Sequence, residues 1–330
     1  MRLPRRKFLH LAAGAAALVS MTTATLAQGW PTRAVTMVDP SAPGGSGDVL
    51  GRILAPRLSE LLGRQVIVEN IGGAGGMLGV ARVAKAAPDG YQFVLGNVGN
   101  FAQNQTFYKK PLYNAAMDFA PVALVAELPL VLITRKDFPA SNLKEFAAYG
   151  KANEGKLQYA SAGVGNVTHL ACALLNATIG IKATHVPYRG GGLAMQDLIA
   201  GRIDYQCPGA AVAIGHIDSR TVKPIAILKS ARSPSLPELP SAQEQGLPDF
   251  AASLWYAFFL PKGTPAAIVQ KVHDATVATM DTPSVMQRLK EIGADLVAPE
   301  RRSSQYLQKF VESEIVKWAA PIKAAGIQVE

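Results

Sequence analysis

Two spacings of apolar residues organise the chain. A short apolar run, residues 34–38, leads through Pro40-Ser41-Ala42-Pro43-Gly44-Gly45-Ser46-Gly47-Asp48 into Leu50, Ile53, Leu54, Leu58, Leu61 and Leu62. The run predicts a strand. The later residues recur every three or four positions, which predicts one apolar stripe on a helix that begins near Val49 and is ended by Gly63. Residues 66–68 and 93–95 read as further strands, and residues 77–86 as a helix closed by Pro88-Asp89-Gly90. Gly72-Gly73-Ala74-Gly75-Gly76 reads as a flexible structural turn, because no Gly-Lys-Ser/Thr follows it and the GxGxxG spacing is absent.

The same plan recurs downstream. Residues 122–133 are apolar around Pro129, as expected of one strand leaving a first lobe and another entering a second. A helix at 144–152 and a strand at 157–160 precede the loop Ser161-Ala162-Gly163-Val164-Gly165-Asn166 and a helix over 168–177. A short strand at His185-Val186, a turn at Pro187-Tyr188-Arg189-Gly190-Gly191-Gly192, and a helix carrying Ala194, Leu198 and Ile199 come next. Further strands are expected at 203–207, 225–228 and 255–260, the last returning to the first lobe, and residues 265–323 read as helical. Strands alternating with helices imply parallel βαβ units in open sheets, whose ligands bind beyond the carboxyl ends of the strands. The expected division is lobe one at 28–128 and 254–330, and lobe two at 129–253.

Both glycine-rich loops lie where a strand feeds a helix. There the first backbone N–H groups have no internal partner and carry the positive end of the helix dipole, a ready anion site. Glycine lets a ligand approach the backbone, and Ser46 and Asp48 are suitable caps. Two such loops suggest a ligand held between two lobes.

Composition narrows the class. The 330 residues are 49% hydrophobic and 17% charged, enough to bury sizeable cores. Arg2, Arg5, Arg6 and Lys7 precede a short apolar stretch and small residues ending at Ala27, the layout of a cleaved export signal over residues 1–27. Arg5-Arg6-Lys7-Phe8-Leu9 also has twin-arginine form, with an ordinary secretory signal as the alternative. Removing those four cations, and no acid, from the formal +9 leaves +5, a mild bias toward anionic ligands without the basic clusters of a nucleic-acid surface. Cys172 and Cys207 have no CxxC or histidine spacing, so no metal is expected, and buried free thiols are preferred over a disulfide.

Taken in order, Pro43-Gly44-Gly45-Ser46-Gly47-Asp48, Val68-Glu69-Asn70, the glycines from Gly72 to Gly79 and Pro88-Asp89-Gly90-Tyr91 resemble the solute-binding receptors of tripartite tricarboxylate transporters, the Bug-type receptors. Asp118-Phe119-Ala120-Pro121-Val122, the segment from Ser161 to Leu170, His185-Val186-Pro187-Tyr188-Arg189-Gly190-Gly191 and Gly201-Arg202-Ile203-Asp204 extend the resemblance over the whole mature chain. It implies a type II-like α/β periplasmic binding fold, each lobe an open mixed sheet flanked by helices. A small carboxylate would be held in the cleft, partly through ordered waters, and handed to transporter membrane subunits. It implies no enzyme activity and no cofactor, and a monomer is expected. Gly51 before Arg52, Ser241 after Pro240 and the Ala42-Pro43 pair depart from the usual pattern and leave the far end of the pocket open.

Candidate ligand contacts are Gly44, Gly45, Ser46 and Asp48 from the first loop and Ser161, Ala162, Gly163, Gly165 and Asn166 from the second. Asn97 and Asn100 follow the third strand and can donate amide N–H groups or cap the loop. His169 can reach the ligand or simply the backbone. Tyr188 and Arg189 follow a strand of the second lobe, where Arg189 can pair with a distal carboxylate or remain solvated. Asp204 would repel an anion and suits an amino or hydroxyl group, or a water. Trp255 and Tyr256 read as core or hinge aromatics, with lining of the pocket as the alternative. A secreted carboxylate-processing enzyme and a binding protein that feeds a sensor are the competing classes.

Overall fold

The structure, a computed structural model, describes residues 29–248, 250 and 252–327; the expected export signal lies outside them. Val35–Asp39 (β1) is the apolar run of the sequence, and it is almost wholly buried because it lies inside a sheet. It pairs in parallel with Val66–Asn70 (β2) and Gln92–Asn97 (β3). The crossovers are Ser46–Leu62 (α1) and Met77–Ala84 (α2), and the short helix Asn104–Phe107 (α3) follows β3. The predicted stripe of α1 is buried except for the partly exposed Leu61, and Gly63 ends the helix in the left-handed conformation (φ 72°), so its N–H turns back to the carbonyls of Ser59 and Glu60.

Phe119–Pro129 (β4), Ser253–Pro261 (β10) and Asp295–Leu296 (β11) complete a six-stranded sheet in the order β11-β4-β10-β3-β1-β2, with β10 antiparallel to both β3 and β4. Within the stretch expected to be helical, the edge strand β11 joins Ala266–Met280 (α8), Pro283–Glu291 (α9) and Ser304–Ala324 (α10). The side chains of β10 alternate across the sheet. Trp255 is buried, packs on Phe310 and donates through Nε1 to Glu314 of α10 (3.0 Å), whereas Tyr256 faces the interlobe cleft.

The second lobe is a five-stranded sheet in the order β7-β6-β8-β5-β9, built from Val131–Arg135 (β5), Gln158–Ser161 (β6), Thr184–Pro187 (β7), Tyr205–Gln206 (β8) and Val222–Ile227 (β9). Leu143–Ala152 (α4), Val167–Ile179 (α5), Gly191–Ile199 (α6) and Ala210–Asp218 (α7) flank it. Of these, α7 has no counterpart in the sequence reading. Its apolar residues adjoin the preceding strand without a polar break. Both lobes are mixed α/β sheets, as expected.

Pro129 divides the apolar stretch 122–133 into β4 and β5, since proline cannot donate to a continuing ladder. The two crossings between the sheets are tied together: Leu228 N–H donates to the Leu130 carbonyl and Ala252 N–H to the Leu228 carbonyl, each at 2.8 Å. Cys172 and Cys207 are not free thiols. The buried face of α5 packs at the end of β8 and brings their Cα atoms to 5.7 Å, where the sulfurs form a disulfide. Only the packing of α5 on the sheet pairs them; nothing in their sequence spacing does.

Candidate functional site

The carboxyl ends of β1 and β6 face each other across a cleft of about 570 Å³. On the first lobe α1 begins at Ser46 behind Gly45, which offers no side-chain cap, so the first-turn N–H groups remain open to the cleft. Gly45, Ser46 and Gly47 line it. Gly44 and Asp48 stand behind them: the Asp48 carboxylate accepts from the Gly44 N–H and from Arg52 Nε, both at 2.9 Å. Burial works to raise the Asp48 pKa, but the hydrogen bonds from Arg52 and Gly44 outweigh it and hold the group below the usual carboxylate range. Asp48 therefore shapes the loop from beneath.

On the second lobe Ala162, Gly163 and Asn166 line the cleft. Gly163 (φ 128°) and Gly165 (φ 74°) hold conformations that side chains resist. Asn166 caps α5 by accepting from the Thr168 N–H (3.1 Å). Ser161 and His169 are bracing groups outside the lining. Ser161 Oγ bonds His185 Nε2 (2.6 Å) and takes the Gly163 N–H (3.1 Å), while His169 Nδ1 accepts from the Gly165 N–H (3.3 Å). The two imidazoles stack at 4.0 Å. Burial pushes His169 down to about 3, helped by His185, and His185 itself down to about 4, so both are neutral acceptors or donors at ordinary pH.

Asn97 lines the cleft at the end of β3, in register with Tyr256. Asn100 is buried behind it and donates through Nδ2 to the Gly75 carbonyl (2.8 Å), which also receives Asn104 Nδ2 (3.2 Å). That carbonyl belongs to the glycine run read above as a structural turn. Gly72 to Gly76 in fact form a wall of the cleft, and a Cβ built on Gly75 would fall 2.7 Å from the carbonyl carbon of Gly165 in the other lobe. The glycines touch across the cleft because they lack side chains. The signal was present in the sequence as five small residues, without any indication of what they approach.

Tyr188 and Arg189 line the second lobe's side, where the Tyr188 hydroxyl donates to Asp197 (2.6 Å). Arg189 is exposed and is the one charged residue among the described lining residues. Asp204 is elsewhere, just before β8: its oxygens accept from Arg135 Nε (3.2 Å) and the Gln158 N–H (2.8 Å), and Gln206 of β8 lines the cleft instead. Among the described residues no group of three or more acids, histidines or cysteines is placed to hold a metal.

The sequence profile described as the tripartite tricarboxylate transporter family receptor matches residues 50–327. The chain belongs to that family. A relative from Agrobacterium vitis, encoded in the ttuE–ttuC′ intergenic region, is 36% identical over 330 residues, covering 98% of this chain and 95% of its own. MatC of Rhodopseudomonas palustris, solved with bound malate, is 38% identical with a TM-score of 0.86, covering 89% of this chain and 100% of MatC. A second R. palustris protein, solved with adipate, is 33% identical with a TM-score of 0.85, covering 90% of this chain and 98% of that one. Membership in the receptor family makes this chain a periplasmic solute-binding receptor with a two-lobed binding fold and the cleft between its lobes as the binding site.

Proposed function

We propose that the receptor captures a small organic acid carrying two or more carboxylates, or one carboxylate on an aromatic frame, and returns it unchanged to the membrane subunits of its transporter. One carboxylate is received by the helix-start N–H groups of Ser46 and Gly47 and rests against the second loop at Ala162, Gly163 and Asn166, where the Ala162 and Gly163 N–H groups already donate to Thr168 Oγ1 (2.9 Å) and Ser161 Oγ (3.1 Å). The second lies toward Arg189, whose guanidinium offers paired donors in the geometry a carboxylate accepts. The observation that carries this reading is the make-up of the cleft: small residues on both walls, uncapped helix-start N–H groups on the first, and Arg189 as the charged lining residue among those described. The malate and adipate of the two R. palustris proteins are of the same chemical class. Residues 1–27 serve as the export signal, with Arg5-Arg6 consistent with the twin-arginine route, and the receptor acts as a monomer.

A panel of carboxylates and their matching amides tests the reading by thermal unfolding. A ligand present at ~100 times its dissociation constant adds about 2.7 kcal/mol of stability, and recovery of intact ligand afterwards separates a receptor from an enzyme. Equal shifts from acids and amides, or none from any acid on verified ligand-free protein, would refute it.

A further inference from the structure

Asp39 ends β1 directly beneath the first loop, and its side chain is completely buried. Oδ2 accepts from Ser41 Oγ (2.6 Å) and Asn70 Nδ2 (3.0 Å), two residues that line the cleft, whereas Oδ1 has no hydrogen-bond partner. That oxygen is pressed against the second residue of α1, since a Cβ on Gly47 would fall 2.5 Å from it. A buried oxygen without a donor is a costly place for negative charge.

The neighbours add to the cost. From α1 Asp39 faces Asp48, an ionised group that occupies the Gly44 N–H, and Arg52, the cation acting on Asp39 but hydrogen-bonded to Asp48. From β2 it faces Asn70, and from β10 it faces Tyr256, whose phenol is itself pushed up by burial and by Asp39. Burial, with Asp48 assisting, pushes Asp39 up to about 7 in spite of its two hydrogen bonds. A ligand carboxylate on the first loop would be a third anion at one helix terminus.

We propose that Asp39 couples a proton to carboxylate capture: as a neutral acid it leaves the positive end of α1 to the ligand, and as a carboxylate it competes for that end. Binding then takes up to one proton from solvent onto the fraction of Asp39 that is ionised in the free protein, and affinity falls as pH rises. Asp39 is a positioning residue beneath the site and touches no ligand. The inference rests on the carboxylate reading above.

The probes are malate and adipate, titrated calorimetrically from about pH 6 to about pH 9, where both carboxyl groups of each acid are ionised, in buffers of different ionisation enthalpy. The expected result is an affinity about tenfold or more lower at the alkaline end, within the usual range of coupling between two sites, with proton uptake near neutral pH. Asp39→Asn abolishes both the slope and the uptake. Should that variant not fold, Asp39→Val, β-branched and suited to a strand, makes the same comparison. Binding by the wild type with no pH slope and no proton uptake, or a slope unchanged in the variant, overturns the role of Asp39 and leaves the carboxylate reading intact. If neither malate nor adipate binds, whichever acid of the carboxylate panel does bind takes their place as probe, and failure of every acid at every pH overturns the carboxylate reading and this inference with it.

Discussion

Gly75→Ala isolates lobe closure from folding. The new Cβ would lie 2.7 Å from both the carbonyl carbon and oxygen of Gly165, close to 1 Å short of the ~3.5 Å at which carbon atoms pack. The obstacle belongs to the opposite lobe, so opening the cleft relieves it completely. Gly75 also has φ +62°, and a left-handed alanine costs roughly 1–2 kcal/mol. That cost is present whether the lobes are open or closed and enters folding stability alone. The interlobe clash acts only on the closed form, and overpacking of this size costs typically about 1–3 kcal/mol. Because a ligand held by loops from both lobes binds the closed form preferentially, its affinity should fall by about fivefold to about 150-fold, at ~1.4 kcal/mol per decade. Calorimetry gives the affinity, and small-angle scattering shows whether saturating ligand still compacts the protein. Gly90→Ala is the matched control: its Cβ would meet Ile268 and Trp30 within the first lobe at 2.5 and 2.9 Å, so it should lower the unfolding midpoint and spare affinity. Wild-type affinity and full compaction in Gly75→Ala would refute the closure argument.

Gly163→Glu should abolish binding, because it sets a negative side chain beside the second loop's backbone, while the nearest obstacle, the Tyr188 carbonyl at 3.4 Å, leaves the backbone strain at φ +128° as the cost to folding, about 1–3 kcal/mol; wild-type affinity in the folded variant would move the site. Arg189→Gln should weaken dicarboxylates by about tenfold, an exposed charge-assisted contact being worth about 1.5 kcal/mol, and should leave monocarboxylates nearly unchanged; equal losses for both would place Arg189 away from the distal group. Replacing both Cys172 and Cys207 by alanine removes a cross-link spanning 35 residues and should cost about 4 kcal/mol in the chain-entropy account, read by denaturant unfolding against the oxidised wild type. His169 and His185 are depressed below the ordinary histidine value of 6.5, so the unfolded chain binds protons that the folded one refuses. Their contribution is complete above about pH 6.5 and is lost as pH falls toward about 3, and His185→Gln should flatten that acid limb relative to wild type. Asp39 works in the opposite sense: its raised value of about 7 makes the cost of ionising it accumulate from about pH 4 to about pH 7, so the stability advantage of Asp39→Asn should grow over that interval and stay constant above it.

Strands and helices whose apolar spacing leaves one solution are legible in the residues alone. The stripe from Leu50 to Leu62, the buried runs of β1 and β3 and the two strand–glycine–helix junctions all carry their period in the residues, and two junctions in one chain already place a ligand between lobes. What the sequence left open is what depends on approach across space. Gly72 to Gly76 are compatible with any turn, and only the facing of the two sheets makes them a wall against Gly165. Asn100, His169 and Asp48 look like ligand groups on paper because amides, imidazoles and carboxylates serve both ligands and backbone; the packing behind each loop commits Asn100 Nδ2, His169 Nδ1 and Asp48 Oδ2 to Gly75, Gly165 and Gly44. Asp204 and Gln206 are two positions apart, yet Arg135 and the Gln158 N–H hold the first just before β8 while the second, on β8, faces the cleft. The disulfide follows the same rule, since pairing 35 residues apart is set by the seat of α5 on its sheet. Local periodicity fixes which face of an element is apolar, and only tertiary packing decides which polar group is left with a free hydrogen bond and which glycine meets a neighbour.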